Sequence, residues 1–214
     1  MEEFNLEQKI VHRLILQSPF ISDIGLLYGK MGIALLFYEY ARYTSCDIYN
    51  DMGEELLDDV LNQIHKGMSI RFDIGLSGIG WGIKYLLQNR FIEGDENEIC
   101  EEIDHEIMRT DLLRIDDFSL ESGLEGLFYY ISARLNGKSF QKDNSPFDTD
   151  YLKDLSCINP FFKIEDVSGF CLRYPISTKS ILNEIVMNES SYMREPLGLR
   201  GGVAGYLLCK ILRV

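Results

Sequence analysis

Proline is scarce in this chain: there are five in 214 residues, and three of them, Pro146, Pro160 and Pro175, fall in one stretch. Long helices are therefore permitted almost everywhere else, since proline breaks a helix whose interior it enters. Basic residues are outnumbered, with 21 Lys and Arg against 34 Asp and Glu and a net charge of −13. A chain that acidic repels phosphate backbones, and no Lys/Arg cluster stands out, so nucleic acid is excluded as a partner. Long hydrophobic runs are missing too. The longest, Met31 to Tyr38, falls far short of the roughly 18 residues a membrane span needs, so no membrane segment is expected. Met1 to Gln8 is acidic and polar, the reverse of the basic start of a signal peptide. The five cysteines are Cys46, Cys100, Cys157, Cys171 and Cys209, an odd number with no framework spacing, which excludes a disulfide scaffold and points to a reducing cytoplasm. An aromatic content of 12% with so little proline excludes disorder as the dominant state.

Glycine is what the chain has in plenty, and it is clustered. Four glycine pairs recur, at Gly29/Gly32, Gly75/Gly78, Gly123/Gly126 and Gly202/Gly205. The second glycines are separated by 46, 48 and 79 residues, a period near 47 with one longer unit. Such a period signals a repeat architecture. Gly25-Leu26 and Gly198-Leu199 stand at the same distance before the first and fourth pairs, and Asp23-Ile24-Gly25-Leu26 reads like Asp73-Ile74-Gly75-Leu76. Each pair opens an apolar run: Ile33 to Tyr40, Ile79 to Leu87, Leu127 to Leu135 and Tyr206 to Leu212.

The segments between are helical by periodicity. Leu6, Ile10 and Leu14 step by four, as do Ile99, Ile103 and Ile107, with Glu101, Glu102, Asp104 and Glu106 expected to face water. Asp51 to Lys66 carries Leu56, Leu57, Val60, Leu61 and Ile64 on one stripe. Gly137 is expected to end a helix in the left-handed conformation. Nothing of comparable length alternates with period two. Each unit reads as an amphipathic outer helix, a glycine loop and an inner helix apolar nearly all round. Such an inner helix must be surrounded, which suits a two-layer barrel of helices. The whole of 1–214 reads as one all-α domain, with glycine-loop repeats near 25–44, 73–89, 120–136 and 198–213. An irregular insert at 138–175 interrupts it; it includes the polar run Gln141 to Ser145, and inside it Asp166 to Phe170 resembles a worn fifth copy. Helix is expected to resume at Ser177 and run through Ile181, Leu182, Ile185 and Val186.

Gly25-Leu26-Leu27-Tyr28-Gly29-Lys30-Met31-Gly32-Ile33-Ala34, Gly75-Leu76-Ser77-Gly78-Ile79-Gly80-Trp81-Gly82 and Ser122-Gly123-Leu124-Glu125-Gly126 resemble the lanthionine synthetase C-like family, and Gly198 to Gly205 looks like a fourth copy. The resemblance implies an α/α toroid, a double-layered helical barrel. It also implies zinc chemistry that adds Cys thiols of a precursor peptide across dehydrated Ser and Thr. The family holds zinc with one Cys and a later adjacent Cys-His pair; this chain has no Cys-His dipeptide, and its histidines are His12, His65 and His105. Three converging ligands are needed, so no metal ligand is carried over and no cofactor is expected. The resemblance thus points to a zinc-free pseudoenzyme, a binding or accessory protein whose partner is a precursor peptide or a modifying enzyme.

The candidate binding residues lie in or beside the glycine loops: Tyr28, Ser77, Glu125 and Arg200. A rival reading from another class makes Glu121 and Glu125, four apart, an acid/base pair of a carboxylate-dependent hydrolase or lyase. The same carboxylates at a helix start are also what its dipole favours. Trp81 fits core or rim, Cys209 reads as a buried structural thiol, and the histidines read as solvated. At about 47 residues per hairpin, the chain is short for a ring of six or seven. An incomplete arc is therefore expected, its bare ends covered by the insert, by a second copy in a homodimer, or by another chain.

Overall fold

The structure, a computed structural model, describes residues 5–136, 145–182, 187 and 191–213. The glycine cap at Gly137, most of the polar run from Gln141, and Ile185 and Val186 lie outside the described residues. Among the described residues there is no strand. The helices are α1 (Leu6–Gln17), α2 (Lys30–Thr44), α3 (Ile48–Gln63), α4 (Leu76–Gln88), α5 (Glu96–Met108), α6 (Leu124–Leu135), α7 (Thr149–Ile158), α8 (Ser168–Arg173), α9 (Thr178–Ile181) and α10 (Val203–Leu212). None is long and apolar enough to cross a membrane.

Two kinds of helix alternate, and they begin differently. The amphipathic helices α1, α5 and α7 start on side-chain caps. Asn5 accepts from Gln8 N at 2.9 Å, Asp95 from Asn97 N at 2.8 Å and Asp148 from Tyr151 N at 2.8 Å. Ile10, Val11 and Leu14 are the buried face of α1. The helices after the glycine pairs are buried nearly all round: every residue from Lys30 to Ala41, every one from Leu76 to Leu86, and all of Leu124 to Leu135 except Glu125. Each fully buried leucine or isoleucine contributes about 1.5–3 kcal/mol, so these helices supply most of the core.

The buried helices share one backbone start. Gly29, Gly75, Gly123 and Gly202 are their extended N-caps, without a side-chain cap. The first helical N–H in each donates to the carbonyl seven residues back: Lys30 to Asp23 at 2.9 Å, Leu76 to Ser69 at 2.8 Å, Leu124 to Asp117 at 2.9 Å and Val203 to Pro196 at 2.9 Å. The loop thus folds under the helix start, with its carbonyls against the glycines. A Cβ on Gly29, Gly75 or Gly123 would collide with the carbonyl six residues upstream, and so would one on Gly32, Gly126 or Gly205. The glycines are there for this close approach.

This register corrects the match of Asp23-Ile24-Gly25 to Asp73-Ile74-Gly75. Gly75 caps α4 as Gly29 caps α2, so the counterpart of Asp23 is Ser69. Other boundaries move as well. The third helix starts at Ile48 rather than Asp51 and stops at Gln63, where Ile64 turns extended. Asp104 and Glu106, expected in water, are buried. Cys209 is half-buried. The worn copy at Asp166 to Phe170 forms a six-residue helix that ends before Pro175, and Val167 rather than glycine is its cap.

Contacts gather the chain into two compact units where the sequence reads as one domain: residues up to Ile64 with those from Ile181 on, and His65–Ser180. In the first unit α2 packs on α3 and α10, and α10 on α1. In the second α4 packs on α5 and α6, and α6 on α8. Within the first unit, the first buried helix is covered by the last one.

Candidate functional site

In each unit two glycine loops are stitched together. In the first, Arg200 N donates to Leu27 O at 2.8 Å. In the second, Phe72 N and Asp73 N both donate to Glu121 O, at 2.9 and 3.1 Å. Tyr28 and Arg200 are thereby held on adjoining loops of one unit, Tyr28 41% exposed and Arg200 half-buried. Ser77, Glu121 and Glu125 belong to the other unit. Glu125 is exposed and Glu121 half-buried, and neither lines the two pockets described below. Ser77 is fully buried, and its Oγ has no hydrogen-bond partner. One turn on, Trp81 is core rather than rim: fully buried, stacked on Tyr85 at 5.6 Å and edge-on to Phe72 at 6.1 Å. Its Nε1 also lacks a partner.

Around Asp117 the third loop builds its own polar knot. Ser122 Oγ donates to Asp117 Oδ2 at 2.6 Å, and the Ser119 amide and hydroxyl donate at 2.8 and 2.9 Å. These bonds hold the Asp117 carboxyl below its ordinary pKa. In the second loop Arg71 grips the buried Asp73 carboxylate through Nε at 2.8 Å and Nη2 at 2.5 Å. Both arrangements order their loops, the first on an exposed carboxylate and the second on a buried one.

The strongest electrostatic feature of the second unit lies at the other end of its helices. Arg134, near the end of α6 and 1% exposed, meets both oxygens of Asp104 on α5, Nε at 3.1 and 3.0 Å and Nη2 at 2.7 Å. Tyr130 OH donates to the same carboxylate at 2.5 Å, and Arg134 Nη2 reaches Asn97 Oδ1 at 3.0 Å. Glu96 lies 3.5 Å from Arg134 Nη1 and pairs with Lys84 of α4. Three helices are thus joined through two carboxylates. Burial pushes the Asp104 carboxyl up against the pull of Arg134 and Tyr130. Burial lowers the Arg134 pKa, but the bonds and charge of Asp104 more than offset it, so the guanidinium stays charged. Sequence reasoning missed this cluster because Asp104 sits in an acidic run. The signal was Lys84 and Arg134 inside apolar runs, where a cation must find a partner.

Above this cluster is a pocket of about 430 Å³, lined among others by Asn97, Glu98, Glu101, Asp104, His105 and Arg134. A second of about 440 Å³ adjoins it, and Glu101 and His105 line both. With Asp104 paired to Arg134, Glu98 and Glu101, the latter 4.0 Å from His105 Nε2, leave the first pocket acidic, a surface that attracts cations.

The residues do not fit zinc. Cys100 is buried, and burial pushes its thiol up to about 12, the opposite of the thiolate a metal ligand supplies. His12, His65 and His105 are exposed. Among the described residues, no three His, Cys, Asp or Glu side chains converge as a metal would require. No family model, curated protein or solved structure matches the chain.

Proposed function

We propose that this protein is a zinc-free relative of the lanthionine synthetase C-like proteins, an α/α toroid that binds peptide in the maturation of a modified peptide. The observation that carries the reading is the shared glycine loop: four buried helices start on a capping glycine and a carbonyl seven residues back. Loops of that build present a short exposed edge between rigid helices, a place where a peptide can lie without reordering the fold. Tyr28 and Arg200 are the side chains of the first unit offered to it, and Glu125 that of the second. The negative pocket over Asp104 adds a preference for peptides with basic side chains.

Calorimetric titration with a synthetic linear peptide containing Ser, Thr, Cys and Lys, run beside elemental analysis for zinc, tests the reading. Peptide binding weakened by Tyr28→Ala or Arg200→Ala, with no stoichiometric zinc and no loss of peptide thiols, is the expected result. Stoichiometric zinc with consumption of thiols would replace the binding role by cyclisation. Hydrolysis of a glycan or peptide abolished by Glu121→Gln with Glu125→Gln would replace it by the carboxylate mechanism.

A further inference from the structure

One acidic residue of the first unit repeats an arrangement of the second. Glu96, the first residue of α5, is bridged by Lys84 from the buried helix before it and by Arg134 from the buried helix after it. Glu7, at the start of α1, is likewise held from two sides, by Lys210 of α10 at 3.2 Å and Tyr40 OH of α2 at 3.0 Å. The positions match on one side and differ by one residue on the other. Arg134 and Tyr40 each stand eleven residues after their capping glycines, and Lys84 and Lys210 stand nine and eight after theirs. The loops correspond as well. Asp73 N donates to Glu121 O, and Arg200 N to Leu27 O, all four residues standing two before their capping glycines.

From these matches we propose that α1 serves α10 and α2 as α5 serves α4 and α6, with Glu7 as a latch that holds α10 in place of chain connectivity. Between α4 and α6 the chain itself runs through α5. Between α10 and α2 no such link exists, because α1 follows α10 in space and precedes α2 in sequence. On that side α10 is held by its packing on α2 and α1, by the loop bond from Arg200 N to Leu27 O, and by Lys210 on Glu7, which Tyr40 ties in turn to α2. Glu7 is well covered, its side chain 17% exposed, whereas Lys210 is half in solvent. Opening the latch would loosen the packing of α10, whose Leu207 and Leu208 are buried, on α2 and α1.

Hydrogen exchange on the full chain, read helix by helix, tests the latch. Glu7→Ala is expected to speed exchange in α10 at least tenfold and to leave α4 and α6 unchanged. Glu96→Ala is expected to speed exchange in α4 and α6 less than Glu7→Ala speeds it in α10, because the chain through α5 still joins them, and to leave α10 unchanged. Lys210→Met added to Glu7→Ala is expected to cause little further change, because both act through one contact. Unchanged exchange in α10, or equal loosening of both units by Glu7→Ala, would overturn the proposal. Should Glu7→Ala fail to fold, Tyr40→Phe removes one bond of the latch alone; faster exchange confined to the first unit supports the proposal, and no change there overturns it.

Discussion

The two units build the same backbone joint and fill it with different chemistry. Both begin their buried helices on a capping glycine and pair two loops at the residue two before it. Eleven residues after the cap, the first unit has Tyr40 and the second Arg134. Tyr40 makes a single neutral-to-charged hydrogen bond to Glu7. Arg134 is locked into a buried network with Asp104, Asn97 and Tyr130. The difference separates what the repeat requires from what it tolerates. The carbonyl-under-helix loop is common to all four copies, whereas the polar group that closes the far end varies.

The comparison is broken most severely at Asp104. Replacing it by leucine leaves the buried guanidinium only Glu96, at 3.5 Å and already shared with Lys84, and a loss of about 3–5 kcal/mol is expected by chemical denaturation. Combining Asp104→Leu with Arg134→Met should restore most of it. The corresponding change in the first unit, Tyr40→Phe, removes one hydrogen bond and should cost about 1 kcal/mol. Equal losses at the two sites would remove the distinction between the joints.

Glycine substitutions come next. Gly29→Ala and Gly123→Ala each push a methyl into a backbone carbonyl and should cost about 1–3 kcal/mol. Gly169→Ala, in a helix where the added carbon lies 3.7 Å from Phe161 O, should be neutral or stabilise by up to about 1 kcal/mol. In the first turn of α4, Ser77→Ala removes a buried hydroxyl without a partner and should change stability by less than about 1 kcal/mol, toward greater stability.

The helices and the glycine loops were legible in the sequence because periodicity and glycine spacing are local signals. Ile10 and Leu14 announce the buried face of α1, and the recurring pairs mark all four buried helices. Register was not fully legible. Asp23-Ile24-Gly25 and Asp73-Ile74-Gly75 look alike, yet only the bond from the first helical N–H shows which glycine is the cap. Burial of Asp104 could not be read from α5 alone, since its partner lies on α6, 30 residues on. Tyr28 is exposed and Ser77 is not, although both flank glycine loops, because Ser77 already lies inside the helix and Tyr28 just before it.

A smaller effect is expected at alkaline pH. Burial raises the Cys100 thiol of the second unit from 9.0 to about 12. The folded state therefore keeps a proton that the unfolded state sheds. Its contribution is complete below about pH 9 and is lost as pH rises toward 12. Denaturation midpoints followed across that window should fall less steeply for Cys100→Ala than for the parent chain. At pH 8 a thiol reagent should modify exposed Cys157 while Cys100 stays protected.

The common backbone joint is tested most directly by residue-resolved hydrogen exchange at the Lys30, Leu76, Leu124 and Val203 amides. First-turn helix amides ordinarily lack a backbone partner and exchange freely. Here each donates to a carbonyl seven residues back. All four should therefore be protected to the level of the helix interiors that follow them, while Leu6 and Glu96, which open the side-chain-capped helices, exchange fast. Rapid exchange at any two of the four would contradict the shared loop.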